Sequence, residues 1–191
     1  MPVIRECIVT TRSEEGKIHI APLGLIADDD GWIIAPFKPS TTLENLRTTP
    51  YAVASFTDDV LVFAGCLVGN RDWPLRSAEK VPGAVLAGAL AHAELEVREV
   101  EEDELRPRFH CRVVYAANHA PFKGFNRAQG AVIEAAILAS RLHMLPREKI
   151  EQELAYLQIA VEKTAGPREH EAWRILIEKI EDHYKHAHRK D

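Results

Sequence analysis

Two stretches of this chain bring cations, side-chain donors and a helix start together, a combination suited to holding an anion. The first is Ala35-Pro36-Phe37-Lys38-Pro39-Ser40-Thr41-Thr42-Leu43-Glu44-Asn45-Leu46-Arg47. Its three hydroxyl residues open a short predicted helix, and Thr41 with Glu44 has the spacing of a capping box. The first turn of a helix has unpaired N–H groups and a partial positive charge. With Ser40, Thr41 and Thr42 as donors and Lys38 and Arg47 as cations, this turn reads as a phosphate cradle. The competing reading is an ordinary capped helix, since many helices start with Ser or Thr and bind nothing.

The second stretch is Lys123-Gly124-Phe125-Asn126-Arg127, which opens another helix. Arg127 falls in the first helical turn, where a positive charge opposes the dipole and an anionic ligand would offset the cost. Asn126 and Gln129 have capping-box spacing. Ala128, Gly130, Ala131, Ala135, Ala136 and Ala139 form a face of small residues fit for close packing against something flat, such as a sheet. Arg127, Glu134 and Arg141 recur every seven residues on one face. Glu134, set among apolar neighbours, is expected to be buried and held in an ion pair rather than used in catalysis.

Other chemistries lack their signatures. There is no Gly-x-Ser-x-Gly elbow for a serine nucleophile and no Gly-x-Gly-x-x-Gly for a Rossmann unit. Neither His-x-x-x-His nor Cys-x-x-Cys occurs, so no metal site is expected, and His183, His186 and His188 read as a solvated tail. Cys7, Cys66 and Cys111 are widely spaced and fit small core residues. The acidic run Glu99 to Glu104 lacks the spacing of a calcium loop and reads as a solvated turn.

The elements that must position these residues follow from periodicity and breakers. Val3–Thr11 and Ile18–Ala27 form a hairpin around Glu14-Glu15-Gly16-Lys17. Pro22 and Gly24 in Ala21-Pro22-Leu23-Gly24 leave backbone exposed for a flat ligand, or mark a simple bulge. Asp28-Asp29-Asp30-Gly31 is a second turn, and Trp32–Ala35 leads into the cradle helix, which stops near Thr48-Thr49 before Pro50. Tyr51–Phe56, Val60–Val68, Glu94–Val100 and Arg108–Ala116 read as strands, with Gly83–Ala91 ambiguous and 69–82 a long polar connection. Helices are expected from 126 to about Met144, from Pro146 to about Lys163, and from Pro167 onward.

The whole is α+β: a β-barrel over 1–118 followed by a three-helix C-terminal cap over 119–191, packed on the barrel. With 46% hydrophobic and 28% charged residues in 191, the chain can bury a sizeable core. A net charge of −5 argues against sequence-independent nucleic-acid binding. No signal peptide or membrane-length apolar run appears, so a cytoplasmic location is expected.

In order, Glu6-Cys7-Ile8-Val9-Thr10-Thr11, Ala21-Pro22-Leu23-Gly24 and Pro39-Ser40-Thr41-Thr42-Leu43-Glu44-Asn45-Leu46 resemble the elements of FMN-binding split-barrel proteins. The segment from Gly124-Phe125-Asn126-Arg127-Ala128 to Ser140-Arg141-Leu142 is narrower and is similar to domain-of-unknown-function family 447, a branch of that superfamily linked to tetrahydromethanopterin metabolism. The resemblance covers nearly the whole chain. It implies an FMN-binding split β-barrel, a homodimer and FMN in a groove at the dimer interface. Carried over, Ser40, Thr41 and Thr42 would meet the FMN phosphate, and Pro22, Leu23 and Gly24 would lie near the ring or ribityl chain. Asn126 and Arg127 would approach from the cap, with Lys38 and Arg47 as further cations. No residue matches a dedicated catalytic acid or base. The expected function is an FMN-binding flavoprotein with an unknown small-molecule substrate, an oxidoreductase in one-carbon or cofactor metabolism. The alternatives are a non-catalytic FMN carrier, sensor or assembly module, and a dimer that binds another phosphorylated metabolite.

Overall fold

The structure is a computed structural model that describes residues 2–29 and 31–187; Asp30 of the second expected turn and His188 of the expected tail lie outside the described residues. The strands are β1 (Ile4–Arg12), β2 (Ile18–Asp28), β3 (Gly31–Ile34), β4 (Tyr51–Phe56), β5 (Leu75–Ser77), β6 (Ala84–Leu86), β7 (Ala91–Glu101) and β8 (Arg108–Asn118). The helices are α1 (Thr41–Thr48), α2 (Val60–Leu67), α3 (Arg127–Ser140), α4 (Arg147–Thr164) and α5 (Pro167–Ala187). They divide into two compact units, Met1–Thr57 with Asp72–Phe122, and Asp58–Arg71 with Lys123–Asp191.

The first unit is a closed antiparallel barrel in the order β1-β2-β3-β8-β7-β4, with β5 and β6 as a separate two-stranded sheet. Alternation along β1 explains the closure. Cys7 and Val9 enter the barrel core with Leu25, Ile34, Ala54, Leu95 and Phe109. Ile8 and Thr10 alternate to the outer face and are nonetheless buried. The excursion that carries β5 and β6 covers part of that face: the Thr10 hydroxyl donates to Ala84 O, and Leu86 N donates to Ser55 Oγ at 3.1 Å. Helix α1 sends Leu43 and Leu46 into the barrel core, and buried Asn45 donates to Thr11 Oγ1 at 3.0 Å. Gly31 starts β3 because a side chain there would strike Cys111 O, 2.0 Å from an ideal Cβ.

The second unit is helical. The three expected C-terminal helices are present as α3, α4 and α5, but the chain has five helices among its described residues, α1 and α2 being the others. Helix α2 corrects the strand expected over Val60–Val68. Its run Val-Leu-Val-Phe-Ala-Gly-Cys-Leu is apolar on every side, so periodicity could not separate a buried helix from a buried strand. Asp59 is its N-cap and accepts from Leu61 N at 3.2 Å. Val60 and Ala64 pack with Val132, Ala135, Ala139, Leu176 and Ile180. An Arg168–Asp59 ion pair joins the starts of α5 and α2. The small-residue face of α3 thus meets other helices, with Ala128 and Ala131 against Val161 of α4.

Candidate functional site

The cradle stretch forms the β3–α1 connection. Ser40, not Thr41, is the N-cap: its hydroxyl accepts from Leu43 N at 3.3 Å, and its carbonyl accepts from Glu44 N at 3.1 Å. The N-cap expected at Thr41 is therefore shifted by one residue, and no capping box forms, because the residue three after Ser40 is Leu43. The N–H groups of Thr41 and Thr42 donate to no described residue, so the first turn of α1 keeps two unpaired donors. Thr41 is exposed, Ser40 is half-buried and Thr42 is buried.

A second turn braces this connection. Between β7 and β8, Asp103 Oδ1 accepts from Arg106 N at 2.6 Å and Leu105 N at 2.9 Å, and these bonds hold its carboxyl below the usual range. Arg106 donates twice to Ala35 O, at 3.0 and 2.8 Å, and its guanidinium lies 4.4 Å from the centre of the Phe37 ring. Lys38 donates through its backbone to Leu105 O at 2.9 Å and through Nζ to Asp103 O at 2.7 Å. Glu102 lies 3.8 Å from Lys38 Nζ and 2.8 Å from Arg47 Nη2. The acidic run read as merely solvated is thus the specific partner of both cations. Arg47 sits in the last turn of α1, the end opposite the unpaired amides.

The remaining expected residues separate by role. Pro22 pairs with Ile8, and Gly24 with Glu6, on the outward-facing positions of β2, whereas Leu23 packs against the barrel core. A side chain at Gly24 would meet Ile4 Cγ2 at 2.8 Å and Glu6 Oε1 at 3.0 Å, so packing against β1 accounts for this glycine. Asn126 and Arg127 belong to the helical unit. Asn126 caps α3, accepting from Ala128 N at 2.8 Å while donating to Thr164 O at 2.9 Å. Gln129 bonds Glu169 instead of closing a box. Arg127 is exposed and makes no ion pair with any described residue. Glu134 is also exposed, in a shallow cleft with Gln152, Glu153, Tyr156 and Leu157, which overturns the expectation of a buried, paired carboxylate.

Sequence reasoning missed a second constellation in the barrel unit. His92 and Glu94 alternate with the core residues Ala93 and Leu95 of β7, so both point outward, and both are nonetheless buried. Glu94 accepts from the backbone of Glu79 at 2.6 Å, Lys80 at 2.7 Å and Val81 at 2.9 Å, and from His92 Nε2 at 3.2 Å. Burial alone would raise its carboxyl, but these four donors together hold it below the usual range. His92 Nδ1 lies 2.8 Å from His119 Nε2, and the two rings meet edge to edge. Arg76 reaches the same His119 nitrogen. The available signal was His-x-Glu, whose spacing of two shares one face of a strand; a search at helical spacing passes over it.

Cys7 and Cys111 are held as neutral thiols. Burial pushes Cys111 up to about 12, and burial followed by the charge of Glu6 pushes Cys7 higher still. Among the described residues no group of three or more His, Cys, Asp or Glu could hold a metal ion, and no helix is long and apolar enough to cross a membrane.

Comparison with known proteins places this geometry in a family. The FMN-bound protein MM1853 from Methanosarcina mazei matches over 94% of this chain and 96% of its own, with a TM-score of 0.79 and 20% identity. Flavoredoxin from Methanosarcina acetivorans matches 62% of this chain and 69% of its own, at a TM-score of 0.52 and 14% identity. The Streptomyces globisporus NADH:FAD oxidoreductase SgcE6 matches 60% and 70%, at 0.51 and 16%. The fold thus resembles that of FMN-binding split barrels. Residues 5–120 match the model described as the N-terminal domain of the protein of unknown function DUF447, and residues 126–178 match the companion model for the protein of unknown function DUF447. On these two matches, which between them span most of its length, the chain belongs to the DUF447 family.

Proposed function

We propose that this chain is an FMN-binding flavoprotein whose phosphate site is the start of α1. The observation that carries the reading is the pair of unpartnered N–H groups at Thr41 and Thr42, with the Ser40 and Thr41 hydroxyls on the same turn and Lys38 two residues before the cap. Two oriented amides at a helix start, two hydroxyls and a cation fit a phosphate monoester. The likeness in fold to an FMN-bound member of the same family supports the choice of FMN. Pro22 and Gly24, on the outer face of β2, are the positions the ring or ribityl chain would approach.

When bound, FMN supplies the hydride or electron transfer, and the protein supplies binding and orientation. In this reading α1 fixes the phosphate while the Arg106–Phe37 and Lys38–Asp103 contacts keep the β3–α1 connection in place. A second copy of the chain covers the exposed side of the flavin, making a homodimer. The substrate is a small-molecule redox partner, and reduced nicotinamides and reduced pterins are the first donors to try.

Mass spectrometry of the small molecule that co-purifies, together with the absorbance of the protein near 450 nm (about the flavin band), tests the cofactor. A colourless protein whose apo form binds no FMN would overturn the reading. Light scattering that gave a monomer with FMN bound would remove the homodimer. Anaerobic reduction by one donor class and not by others separates an oxidoreductase from a carrier or sensor.

A further inference from the structure

The cluster around His119 goes beyond the flavin reading. Phe109, near the start of β8, pairs with Ile34, the last residue of β3 before the cradle, whereas His119 follows Asn118 at the other end of β8, roughly 30 Å along the strand. His119 is exposed yet fixed. Its backbone N–H donates to Leu90 O at 2.7 Å, and its ring meets that of buried His92 edge to edge, with centroids 5.0 Å apart and planes 14° from parallel.

Hydrogen-bond accounting sets its tautomer. Arg76 can only donate, so His119 Nε2 offers it a lone pair. His92 Nδ1 also lies 2.8 Å from that nitrogen, and its Nε2 lies 3.2 Å from Glu94 Oε1. The proton of the His119 ring is then on Nδ1, which contacts no described residue. Partial burial, then the charges of Arg76 and His92, lower the tendency of His119 to take a second proton. An exposed imidazole is thus held in one orientation with one N–H donor presented, beside a guanidinium.

His119 also lines an open cleft of about 670 Å³ walled by Phe56, Leu90, Pro121 and Phe122, with Asn118 at its edge. That size and wall chemistry suit a ligand of one or two flat rings. A purely structural account covers Glu94 and His92, which pin the 79–81 backbone, but it gives His119 and Arg76 no task. We infer that this cleft is a second binding site, for an aromatic carboxylate whose ring lies against Phe56 and Phe122 while its carboxylate takes the His119 Nδ1–H and the charge of Arg76.

Benzoate is the probe. The full chain as purified, labelled with ¹⁵N-histidine, is titrated with benzoate while the His119 ring nitrogens are followed by NMR. Acetate supplies the charge without the ring, and benzyl alcohol supplies the ring without the charge. Saturable shifts at His119 are expected with benzoate, and at least roughly tenfold weaker binding with either control. His119→Phe and Arg76→Gln should each weaken benzoate roughly ten- to a hundredfold, the range for losing a charge-assisted hydrogen bond. Circular dichroism checks that each variant is folded, and intrinsic fluorescence follows benzoate where the His119 signal is removed. No saturable shift, equal binding of acetate and benzoate, or unchanged affinity in both folded variants would each overturn the site. Bound flavin is scored separately by its absorbance, so failure here leaves the α1 reading standing.

Discussion

Arg47 and Glu102 face each other at 2.8 Å, tying the last turn of α1 to the turn between β7 and β8. The contact redistributes the cations around the cradle. Arg47 lies at the negative end of the α1 dipole, where a cation is favoured without any ligand. Arg47→Ala should therefore leave FMN affinity within about twofold, and it should cost at most about 1 kcal/mol of stability, as exposed ion pairs do. Lys38→Ala should weaken FMN several-fold and, because Nζ also bonds Asp103 O, cost at most about 1 kcal/mol of stability. Flavin fluorescence titration of both variants checks this, and a larger loss for Arg47→Ala than for Lys38→Ala would reverse the assignment.

Glu94 should be among the costliest polar residues to truncate. Glu94→Ala leaves the buried Val81 N–H, the half-buried Glu79 and Lys80 N–H groups and His92 without their acceptor, a loss on the order of 3 kcal/mol. Glu94→Gln keeps the shape but forfeits the negative charge and places an amide donor among donors. The pH dependence has a definite sign. The folded carboxyl ionises more readily than the unfolded one, so its stabilisation is present at neutral pH and is lost as pH falls below about 4.3, the ordinary glutamate value. Chemical denaturation from neutral pH down to about one unit below the ordinary carboxylate range should show a drop in wild type that is smaller in Glu94→Gln.

How much of this was legible in the residues varies with the physics. The β1–β2 hairpin, the stop of α1 before Pro50 and the three C-terminal helices rest on local rules that the chain obeys. Val60–Leu67 is apolar all round, so its state depended on packing among α3 and α5, which no local pattern encodes. The paired positions of His92 and Glu94 were visible as alternation, but their partners come from residues 76, 79–81 and 119, far apart in sequence. Glu134 was misjudged for a similar reason: apolar neighbours in sequence do not share its side of the helix.

Native thiols should be unreactive. Cys7 and Cys111 are both buried with raised thiols, and a thiol nucleophile must ionise. At pH 8 (about half a unit below a free cysteine) neither should be alkylated by iodoacetamide on the minute scale, and both should label at once in guanidinium. Peptide mapping distinguishes the positions. Rapid native labelling of Cys7 or Cys111 would show that the barrel opens far more readily than its packing implies.

Arg127 tests the other cation. Since Glu134 is exposed and no ion pair forms between them, Arg127→Ala should shift stability by no more than about 0.5 kcal/mol. Removing a positive charge from the first turn of α3 should, if anything, help the helix. A fall in melting temperature beyond that range would reinstate a structural pairing.

The last prediction concerns discrimination between FMN and riboflavin. The two share the ring and the ribityl chain, so stacking and apolar burial cannot separate them. Only the phosphate differs, and it would meet the Thr41 and Thr42 amides, the Ser40 and Thr41 hydroxyls and Lys38. The Ser40 hydroxyl already accepts from Leu43 N, so it can give its own proton to a phosphate oxygen without losing the cap. With riboflavin bound, those donors would face no anion, and a site built to hydrogen-bond a group discriminates strongly against an analogue that lacks it. Losing charge-assisted bonds at about 1.5–3 kcal/mol each corresponds to at least roughly a tenfold preference for FMN. Ser40→Ala should reduce that preference and also cost about 1 kcal/mol of stability through the lost cap, whereas Thr41→Val should reduce the preference alone. Titrating apo protein with each flavin measures it. Equal affinities would make the α1 start an ordinary capped helix and would move the flavin phosphate elsewhere.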